Sequence, residues 1–231
     1  MNAAGWLFDP SPRAALSIAG DIRKFPVHRI YCVGQNYREH AREMGDSGRE
    51  PPFFFAKPAD AVTQSRMVAY PPRTENLHHE VELVVALAGG GRNINAAEAL
   101  QRVFAYGVGV DLTRRDLQAV AKQAGRPWTT SKGFDCSAPL SELRAVDQCG
   151  HPVAAPITLA VNGKPRQQGN TADMIWSVPE IIAELSRFFE LRPGDLIFTG
   201  TPPGVGPLVP GDRVDCEIAG VGALQFEVAA A

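Results

Sequence analysis

The stretch Ile157-Thr-Leu-Ala-Val-Asn-Gly-Lys-Pro-Arg-Gln-Gln168 carries the clearest structural signal in the chain. Two short runs that favour β structure flank Asn162-Gly163, and both residues tolerate the positive φ that a two-residue type I′ turn requires. The stretch therefore predicts a β-hairpin. Further short runs typical of strands occur at residues 29–33, 53–56, 80–87, 104–110, 196–199, 213–218 and 223–228.

Helix signals are fewer than strand signals. Asn95 with Glu98 and Ser177 with Glu180 have the spacing of a capping box, in which each side chain satisfies a free backbone N–H of the first turn. The chain also has 22 glycines and 19 prolines, which indicates many turns between short elements. Because strands outnumber helices and do not alternate with them, we expect a β-rich α+β fold with a mixed or antiparallel sheet.

The chain is long enough for one domain or at most two, and no shift in composition marks a boundary. Prolines at positions 10, 12 and 26 favour an irregular lead-in over residues 1–28. We expect a single catalytic domain to follow over residues 29–231.

Composition excludes several classes of partner. The chain has 231 residues, and 23 lysines and arginines face 25 aspartates and glutamates, which gives a formal net charge of −2. Without a basic run, this balance offers no electrostatic surface for nucleic acid. The most apolar run, residues 81–88, is too short to span a bilayer and contains Glu82. We therefore expect neither a nucleic-acid partner nor a membrane partner.

The cysteines indicate a reducing compartment. The chain has four of them, and none forms a Cys-x-x-Cys pair. Residues 1–13 lack the apolar centre of an export signal. We therefore expect reduced thiols in a cytoplasmic protein.

Two carboxylates lie two positions apart in the stretch His78-His79-Glu80-Val81-Glu82. On a strand, Glu80 and Glu82 would point to the same face, while Val81 and Leu83 would face apolar packing. Converging carboxylate oxygens suit Mg²⁺, Mn²⁺ or Ca²⁺. The alternative is an ordinary solvated strand face.

Asp111 is a third candidate ligand. It ends the run Tyr106-Gly-Val-Gly-Val-Asp111, so a carboxylate stands where an apolar strand emerges. Three acids from two strand ends would leave positions for water and substrate, as Mg²⁺ requires. The alternative is a helix cap or turn residue before Thr113.

His40 and Glu43 are three positions apart and would share one face of a helix. A glutamate beside an imidazole orients it and raises its basicity, which suits a base that activates water. A surface ion pair among Arg38, Glu39 and Arg42 is the alternative.

Two further segments offer groups for binding an anion. Lys132 lies in Trp128-Thr-Thr-Ser-Lys-Gly-Phe134 and could neutralise an oxyanion or a carboxylate, although most lysines are only solvated. The loop Thr199-Gly-Thr-Pro-Pro-Gly-Val-Gly206 lacks the Gly-Lys-Ser/Thr of a phosphate loop. Its N–H groups and the Thr201 hydroxyl could bind a carboxylate, or the loop could be a tight multiple turn.

Several of these segments, taken in order, resemble the fumarylacetoacetate hydrolase family and its short acylpyruvate hydrolase branch, from about Arg29 to Val228. The run at residues 49–60 looks most like bacterial fumarylpyruvate hydrolases of gentisate breakdown. The segments that carry the resemblance are Tyr31-Cys-Val-Gly-Gln-Asn-Tyr-Arg-Glu-His40, Phe55-Ala-Lys-Pro58, Asn76-Leu-His-His-Glu-Val-Glu-Leu83, Gly109-Val-Asp-Leu-Thr-Arg-Arg-Asp116, Lys132-Gly-Phe134 and Thr199-Gly-Thr-Pro-Pro-Gly-Val-Gly206.

The resemblance implies a mixed β-sandwich roll, usually dimeric, that uses Mg²⁺ or Mn²⁺. It implies metal ligands at Glu80, Glu82 and Asp111, a water-activating dyad at His40 and Glu43 on a lid, a catalytic lysine at Lys132, and substrate contacts at Gln35, Gln118, Gly200 and Thr201. The chain departs from larger members, because an apolar residue, Val33, stands where they have a fourth acidic ligand. It also has Gln35 where many short relatives carry arginine.

The resemblance implies hydrolysis of a 2,4-dioxo acid, most similar to conversion of 3-fumarylpyruvate to fumarate and pyruvate in aromatic catabolism. Two other functions stay open at this stage. One is a decarboxylase or tautomerase of oxaloacetate-like acids, which needs the same enolate stabilisation without an attacking water. The other is a non-catalytic protein that binds a metal or a carboxylate.

Overall fold

The computed structural model describes residues 5, 7, 9, 11–37 and 49–230. Its strands are β1 Ala15–Ile18, β2 Asp21–Pro26, β3 Arg29–Gly34, β4 Phe53–Lys57, β5 Val62–Thr63, β6 Met67–Ala69, β7 Leu77–His79, β8 Val81–Leu87, β9 Val103–Val110, β10 Thr113–Arg114, β11 Ala138–Pro139, β12 Arg144–Ala145, β13 Pro156–Val161, β14 Lys164–Asn170, β15 Asp195–Phe198, β16 Gly206–Leu208, β17 Arg213–Ile218 and β18 Gly222–Ala229.

The helices are short and lie between the strands. They are α1 Ala96–Ala99, α2 Arg115–Gln123, α3 Thr129–Lys132, α4 Val146–Cys149 and α5 Val178–Phe188, with 3₁₀ turns at Ala59–Ala61, Leu100–Arg102 and Thr171–Asp173. Within the described part of the chain, no helix is both long and apolar enough to cross a membrane.

The predicted hairpin is confirmed. Strands β13 and β14 pair antiparallel across Asn162 and Gly163, whose φ angles are +52° and +72°. Both values lie in the left-handed region that a type I′ turn requires. The capping box at the start of α5 is also confirmed, because the Ser177 side chain accepts from the Glu180 N–H and the Glu180 carboxylate accepts from the Ser177 N–H.

Two large sheets form the body of the fold. A six-stranded mixed sheet has the order β12-β9-β8-β15-β3-β4, in which only β15 and β3 run parallel. A five-stranded sheet has the order β14-β13-β17-β18-β6. This strand-rich architecture with a few short helices confirms the expected α+β fold.

The six-stranded sheet is covered on both of its faces. One hydrophobic core lies between the two large sheets and joins Leu83 and Val85 of β8 to residues such as Leu159 and Phe226. A second core covers the opposite face and contains Val84 of β8. Every residue of β8 is therefore buried, which explains why all of them except Glu82 are apolar.

The alternation of side chains places two of the candidate ligands on one face. Val84 and Ala86 of β8 face the second core, so Glu82 points to the same face at the start of the strand. Ala105 of β9 also faces this core, and Asp111 continues the same alternation just beyond the end of β9. Because β8 and β9 are antiparallel, the start of one lies beside the end of the other.

The expectation of an irregular lead-in is wrong for residues 15–26. Strands β1 and β2 form an antiparallel hairpin, and Leu16 and Phe25 are buried in the second core. The reason is that these apolar side chains cover a face of the central sheet that would otherwise meet water. The single catalytic domain over residues 29–231 stays a prediction.

Two element boundaries also differ from expectation. The sequence also favours a helix that opens at Thr113, with Asp116 three positions on, but the helix begins at Arg115, because Thr113 pairs in extended conformation with His78 of β7. The strand expected from Glu80 begins at Val81. Glu80 lies between β7 and β8, where its carbonyl oxygen accepts a hydrogen bond of 2.8 Å from the Asp111 N–H.

A substitution at Gly109 tests how closely the core is packed next to the candidate metal ligands. This glycine lies opposite Glu82 in the β8–β9 ladder, and a Cβ there would come within 2.6 Å of Val84 Cγ2 and 2.7 Å of Phe198 Cε1. We expect Gly109→Ala to lower the free energy of unfolding by about 1–3 kcal/mol, measured by urea denaturation, because the core is overpacked.

Gly107→Ala is the matched control on the same strand. The nearest atom to its added Cβ is Leu143 Cδ2 at 3.2 Å, which a small side-chain movement relieves. Equal stability losses in the two variants would contradict the packing described here.

Candidate metal centre

Three buried carboxylates converge at the end of the six-stranded sheet. Glu80, Glu82 and Asp111 each offer one oxygen, and these oxygens all lie within 4.8 Å of one another. Their exposed fractions are 6%, 2% and 0%. The structure therefore brings together the three residues that the sequence predicted as metal ligands.

Glu80 is held by two cations. Lys132 Nζ lies 2.8 Å from Oε2 of Glu80, and Arg115 Nη2 lies 2.5 Å from Oε1. Burial opposes ionisation of this carboxyl, but Lys132 and Arg115 outweigh burial and lower its pKa to about 2. Glu80 is therefore a carboxylate at neutral pH.

Asp111 is held by two lysines. Lys132 Nζ lies 2.7 Å from Oδ2, and Lys57 Nζ lies 2.7 Å from Oδ1. Burial opposes the charged form of Lys132, but Asp111 and Glu80 outweigh burial and raise its pKa above the ordinary lysine value. The Lys132 ammonium therefore stays charged throughout the physiological range.

Sequence reasoning did not assign a role to Lys57. Its ammonium donates to the carbonyl oxygens of Leu112, Lys132 and Ser137, so its side chain fixes the segments on both sides of the site. The residue lies within the Phe55-Ala-Lys-Pro58 motif, but a lone lysine before a proline gives no signal of burial. Only the fold reveals its ion pair with Asp111.

The sequence analysis also assigned no role to Arg115. Besides its ion pair with Glu80, it donates from Nη1 to Oε1 of Gln118 at 2.5 Å. Its Nε donates to Nδ1 of His78 at 3.3 Å. Burial and the nearby Arg115 charge lower the pKa of His78 to about 4, so this imidazole is neutral at physiological pH.

Glu82 differs from the other two carboxylates. Its Oε2 accepts a hydrogen bond of 2.7 Å from the Gly200 N–H. Among the residues that the structure describes, no lysine, arginine or histidine nitrogen lies within 4.0 Å of its oxygens. Burial, Asp111 and Glu80 raise its pKa well above the ordinary carboxyl value.

Glu80 and Asp111 each have two cationic partners and Glu82 has none among the described residues, and this difference fits a divalent cation bound at the site. A buried carboxylate without a cationic partner is costly, and a hard metal ion held by three carboxylate oxygens would offset that cost. The donor set of three acidic oxygens suits Mg²⁺ or Mn²⁺ rather than a thiolate-binding metal. Glu80, Glu82 and Asp111 are the residues that could hold it.

The glycine-rich loop at residues 199–206 binds a carboxylate as expected, but this carboxylate is the side chain of Glu82. The φ angle of Gly200 is +97°, and a Cβ there would lie 2.7 Å from Cβ of Asn36. Only glycine therefore allows this N–H to reach Glu82. The Thr201 hydroxyl donates to the Val81 carbonyl oxygen at 2.8 Å, so it fastens the loop to the start of β8.

Gln167 reaches the centre from the other large sheet, and sequence reasoning missed it. Its Oε1 accepts from the Val81 N–H at 3.0 Å and from Nδ1 of His79 at 2.9 Å. Its Nε2 donates to Oγ1 of Thr201 and to the carbonyl oxygen of Pro202, both at 2.8 Å. This buried amide therefore fixes both segments that carry Glu82 and its partner loop.

A small cavity opens onto the carboxylates. The predicted substrate contacts Gln35, Gln118 and Thr201 line it together with Lys132. Its remaining lining residues are Val33, Gly34, Phe55, Glu80, Glu82, Arg115 and Trp128. Gly200 contributes through its hydrogen bond to Glu82, and its role as a substrate contact stays a prediction.

The predicted dyad of His40 and Glu43 lies outside the described residues. The structure describes residues on either side of this dyad in the chain. Trp176 donates to Oδ1 of Asn36 from its backbone N–H and to the carbonyl oxygen of Glu50 from its ring N–H. Gln35, five positions before His40 in the chain, lies in the cavity wall. The role of the dyad stays a prediction.

Comparison with known proteins gives consistent matches. A family model described as fumarylacetoacetate (FAA) hydrolase C-terminal matches residues 29–229. A candidate fumarylpyruvate hydrolase from Burkholderia cenocepacia is 55% identical with a TM-score of 0.93, over 99% of this chain and 100% of that chain. The fumarylpyruvate hydrolase from Pseudomonas aeruginosa, solved with Mn²⁺ and pyruvate, is 50% identical with a TM-score of 0.96, over 98% and 100%.

A curated relative has a different activity. The oxaloacetate tautomerase YcgM of Escherichia coli K12 is 43% identical over 197 residues, which cover 84% of this chain and 90% of that protein. Similarity therefore extends to proteins that act on two related kinds of oxo acid.

Glu82→Gln tests whether this carboxylate needs a metal. We expect Mn²⁺ at about 100 times its dissociation constant to stabilise the wild type by about 2.7 kcal/mol and the variant far less, measured by thermal unfolding. Glu98→Gln, at an exposed carboxylate of α1, is the control and should respond as the wild type does.

The same variant has a predicted pH dependence without metal. Because the pKa of Glu82 is raised in the folded protein, the native state holds a proton that the unfolded chain has lost. The metal-free wild type should therefore lose stability as pH rises above the ordinary carboxyl range, and Glu82→Gln should lack this contribution. An equal response of both proteins to Mn²⁺ and pH would contradict the assignment.

Gln167→Leu tests the connection between the sheets. We expect a loss of at least about 2 kcal/mol in unfolding free energy, because buried partners of the amide are left unsatisfied. Mn²⁺ affinity, measured by calorimetry, should also fall. Gln168→Leu, at the exposed neighbouring position, should change neither quantity, and an equal effect at both positions would refute the role of Gln167.

Proposed function

Since this chain belongs to the fumarylacetoacetate hydrolase family, we propose that it is a metal-dependent hydrolase of acylpyruvates, the 2,4-dioxo acids. The preferred substrate is 3-fumarylpyruvate, which yields fumarate and pyruvate. The observation that carries the proposal is the trio of buried carboxylates beside the charged Lys132, because Lys132 and two of the three, Glu80 and Glu82, line one cavity. The relative solved with Mn²⁺ and pyruvate supports it.

Glu80, Glu82 and Asp111 hold the metal, which is Mg²⁺ or Mn²⁺ in this proposal. When bound, a divalent cation supplies Lewis acidity that stabilises negative charge on the oxygens of the pyruvoyl group. Arg115 keeps Glu80 ionised and oriented, and the Gly200 N–H orients Glu82. The ligands are therefore positioned before any metal arrives, which reduces the cost of binding.

Lys132 stabilises charge that develops on the substrate. Its ammonium is buried, stays protonated and lines the cavity. A fixed positive charge at such a site stabilises an oxyanion strongly, because no solvent must reorganise as the charge appears. Gln118 lies in the same wall and is oriented by Arg115. Gln35 and Thr201 complete the polar contacts to the substrate.

His40, oriented by Glu43, is the proposed base. It takes one proton from water, and the resulting hydroxide adds to the 4-carbonyl carbon. The bond between C3 and C4 then breaks, and its electron pair goes to C3 as a pyruvate enolate. Protonation of C3 gives pyruvate, and C4 leaves as the carboxyl group of fumarate, so one water is consumed for each substrate.

The proposal includes three features of the protein as a whole. We expect it to act as a homodimer in the cytoplasm, within the catabolism of aromatic compounds. Gel filtration at several concentrations tests the dimer independently of activity.

A second candidate is supported by the Escherichia coli relative, an oxaloacetate tautomerase. Oxaloacetate carries the same 2-oxo acid group, and the same carboxylates and lysine would stabilise its enolate. Tautomerisation or decarboxylation needs no attacking water. The two candidates therefore differ in the products formed.

The decisive experiment compares three substrates. Purified protein is incubated with 3-fumarylpyruvate, acetylpyruvate and oxaloacetate, with added Mg²⁺ or Mn²⁺ and with a chelator. We expect two carboxylic acids from the acylpyruvates and loss of turnover after metal removal. Carbon dioxide or enol formation from oxaloacetate alone would replace the hydrolase by the second candidate.

His40→Ala separates the base from the metal. We expect kcat on 3-fumarylpyruvate to fall by roughly 10²–10⁴, because the base is lost. Mn²⁺ affinity measured by calorimetry should stay at the wild-type value, since the three carboxylates are intact. Full turnover by this variant would remove the dyad from the mechanism.

A further inference from the structure

Three aromatic side chains pack around one another next to the metal centre. Trp128 lies edge-on to Phe53, with ring centroids 5.1 Å apart and an interplanar angle of 86°. It also contacts Phe55 at 5.7 Å, and Phe53 lies 6.4 Å from Phe55. We call these three rings the aromatic wall. Neither the proposed chemistry nor the sequence motifs assign it a role.

The three rings of the aromatic wall belong to a strand and to the start of a helix. Phe53 and Phe55 belong to β4, and Trp128 immediately precedes α3. Gly34 of β3 is the register partner of Phe53, and a Cβ there would lie only 2.1 Å from Cζ of the Phe53 ring. Because Gly34 has no side chain, the ring packs directly over the β3 backbone. The position of the wall is therefore set by strand pairing.

Two rings of the aromatic wall lie in the same cavity as two of the carboxylates and the lysine of the site. Phe55 and Trp128 line the same cavity as Glu80 and Glu82. Lys132 Nζ, which ion-pairs with two of the three carboxylates, lies 5.1 Å from the Phe55 ring centroid. A substrate whose oxygens reach Lys132, Glu80 and Glu82 would therefore have its remaining atoms within reach of Phe55 and Trp128.

This arrangement distinguishes the two ends of a 2,4-dioxo acid. The charged side chains of the cavity are Glu80, Glu82, Arg115 and Lys132, and they suit the polar pyruvoyl end. The faces of aromatic rings carry negative electrostatic potential and stack well with flat conjugated groups. They disfavour a carboxylate held directly against them, which is what oxaloacetate would present in place of an acyl group.

On the basis of the proposed function, we infer that the aromatic wall binds the acyl group through Phe55 and Trp128, the two rings that line the cavity, and selects acylpyruvates whose acyl group is flat and conjugated. Phe53 supports both rings by packing against them. The vinylene unit of a fumaryl group meets this requirement, and its two carbons separate the terminal carboxylate from the 4-carbonyl carbon. A short saturated acyl group gains little from the wall. The wall therefore determines specificity and takes no part in bond cleavage.

The first test needs only the wild-type protein. Fumarate and succinate have the same length and the same charge, but only fumarate is flat and conjugated. We expect fumarate to inhibit hydrolysis competitively with an inhibition constant about tenfold lower than that of succinate, as expected from stacking on an aromatic side chain. Equal constants would overturn the inference.

The second test uses Trp128→Leu and Phe55→Leu. We expect the ratio of kcat/KM for 3-fumarylpyruvate to that for acetylpyruvate to fall about tenfold in each variant, mainly through KM. Phe104→Leu is the matched control, because Phe104 is also a partly buried phenylalanine at the second core but does not line the cavity. Its ratio should equal that of the wild type.

The outcomes separate this inference from the proposed function. Calorimetry with Mn²⁺ shows that each variant retains the metal centre and is folded. An unchanged ratio in both folded variants overturns the aromatic wall and leaves the hydrolase standing. A wild type that cleaves neither acylpyruvate overturns the proposed function and this inference with it.

Discussion

Three carboxylates can share a buried site only if positive charge offsets their mutual repulsion. Here Lys132 lies between Glu80 and Asp111, and Lys57 contacts Asp111 from the other side. Glu82 receives only the Gly200 N–H among the described residues. Arg115 also pairs with Glu80, so Glu82 is the carboxylate of the three that lacks a cationic partner among the described residues. A divalent cation would supply that partner, and the chemistry proposed above follows from it.

The fold supplies this arrangement by bringing strand ends together. The start of β8 lies beside the ends of β9 and β15, because β8 is antiparallel to both. The six-stranded sheet is packed on both faces, so the ligands emerge from rigid backbone. Gln167 then ties the second sheet to the same point. A distortion in either sheet would therefore reach the metal ligands.

Specificity and catalysis occupy different parts of one cavity. The acidic and basic side chains of the cavity come from Glu80 just before β8, from β8 itself, from α2 and from α3, whereas Phe53 and Phe55 of the aromatic wall come from the edge strand β4. The chain is similar both to a fumarylpyruvate hydrolase and to an oxaloacetate tautomerase.

The sequence by itself determined the β-rich fold, the Asn162–Gly163 hairpin and the pairing of Glu80 with Glu82, because alternation and turn chemistry are local properties. It also marked Asp111 as a candidate ligand, but only the pairing of β8 with β9 brings Asp111 beside the two glutamates. Only the tertiary structure decided the partners of those acids. Lys57, Arg115 and Gln167 are distant from one another in the chain, and no local pattern marks a lysine or an amide that becomes buried. The hairpin at residues 15–26 likewise forms because it covers a sheet built from later segments. Contacts between remote segments depend on how the sheets pack, and that information lies in the whole chain rather than in any stretch of it.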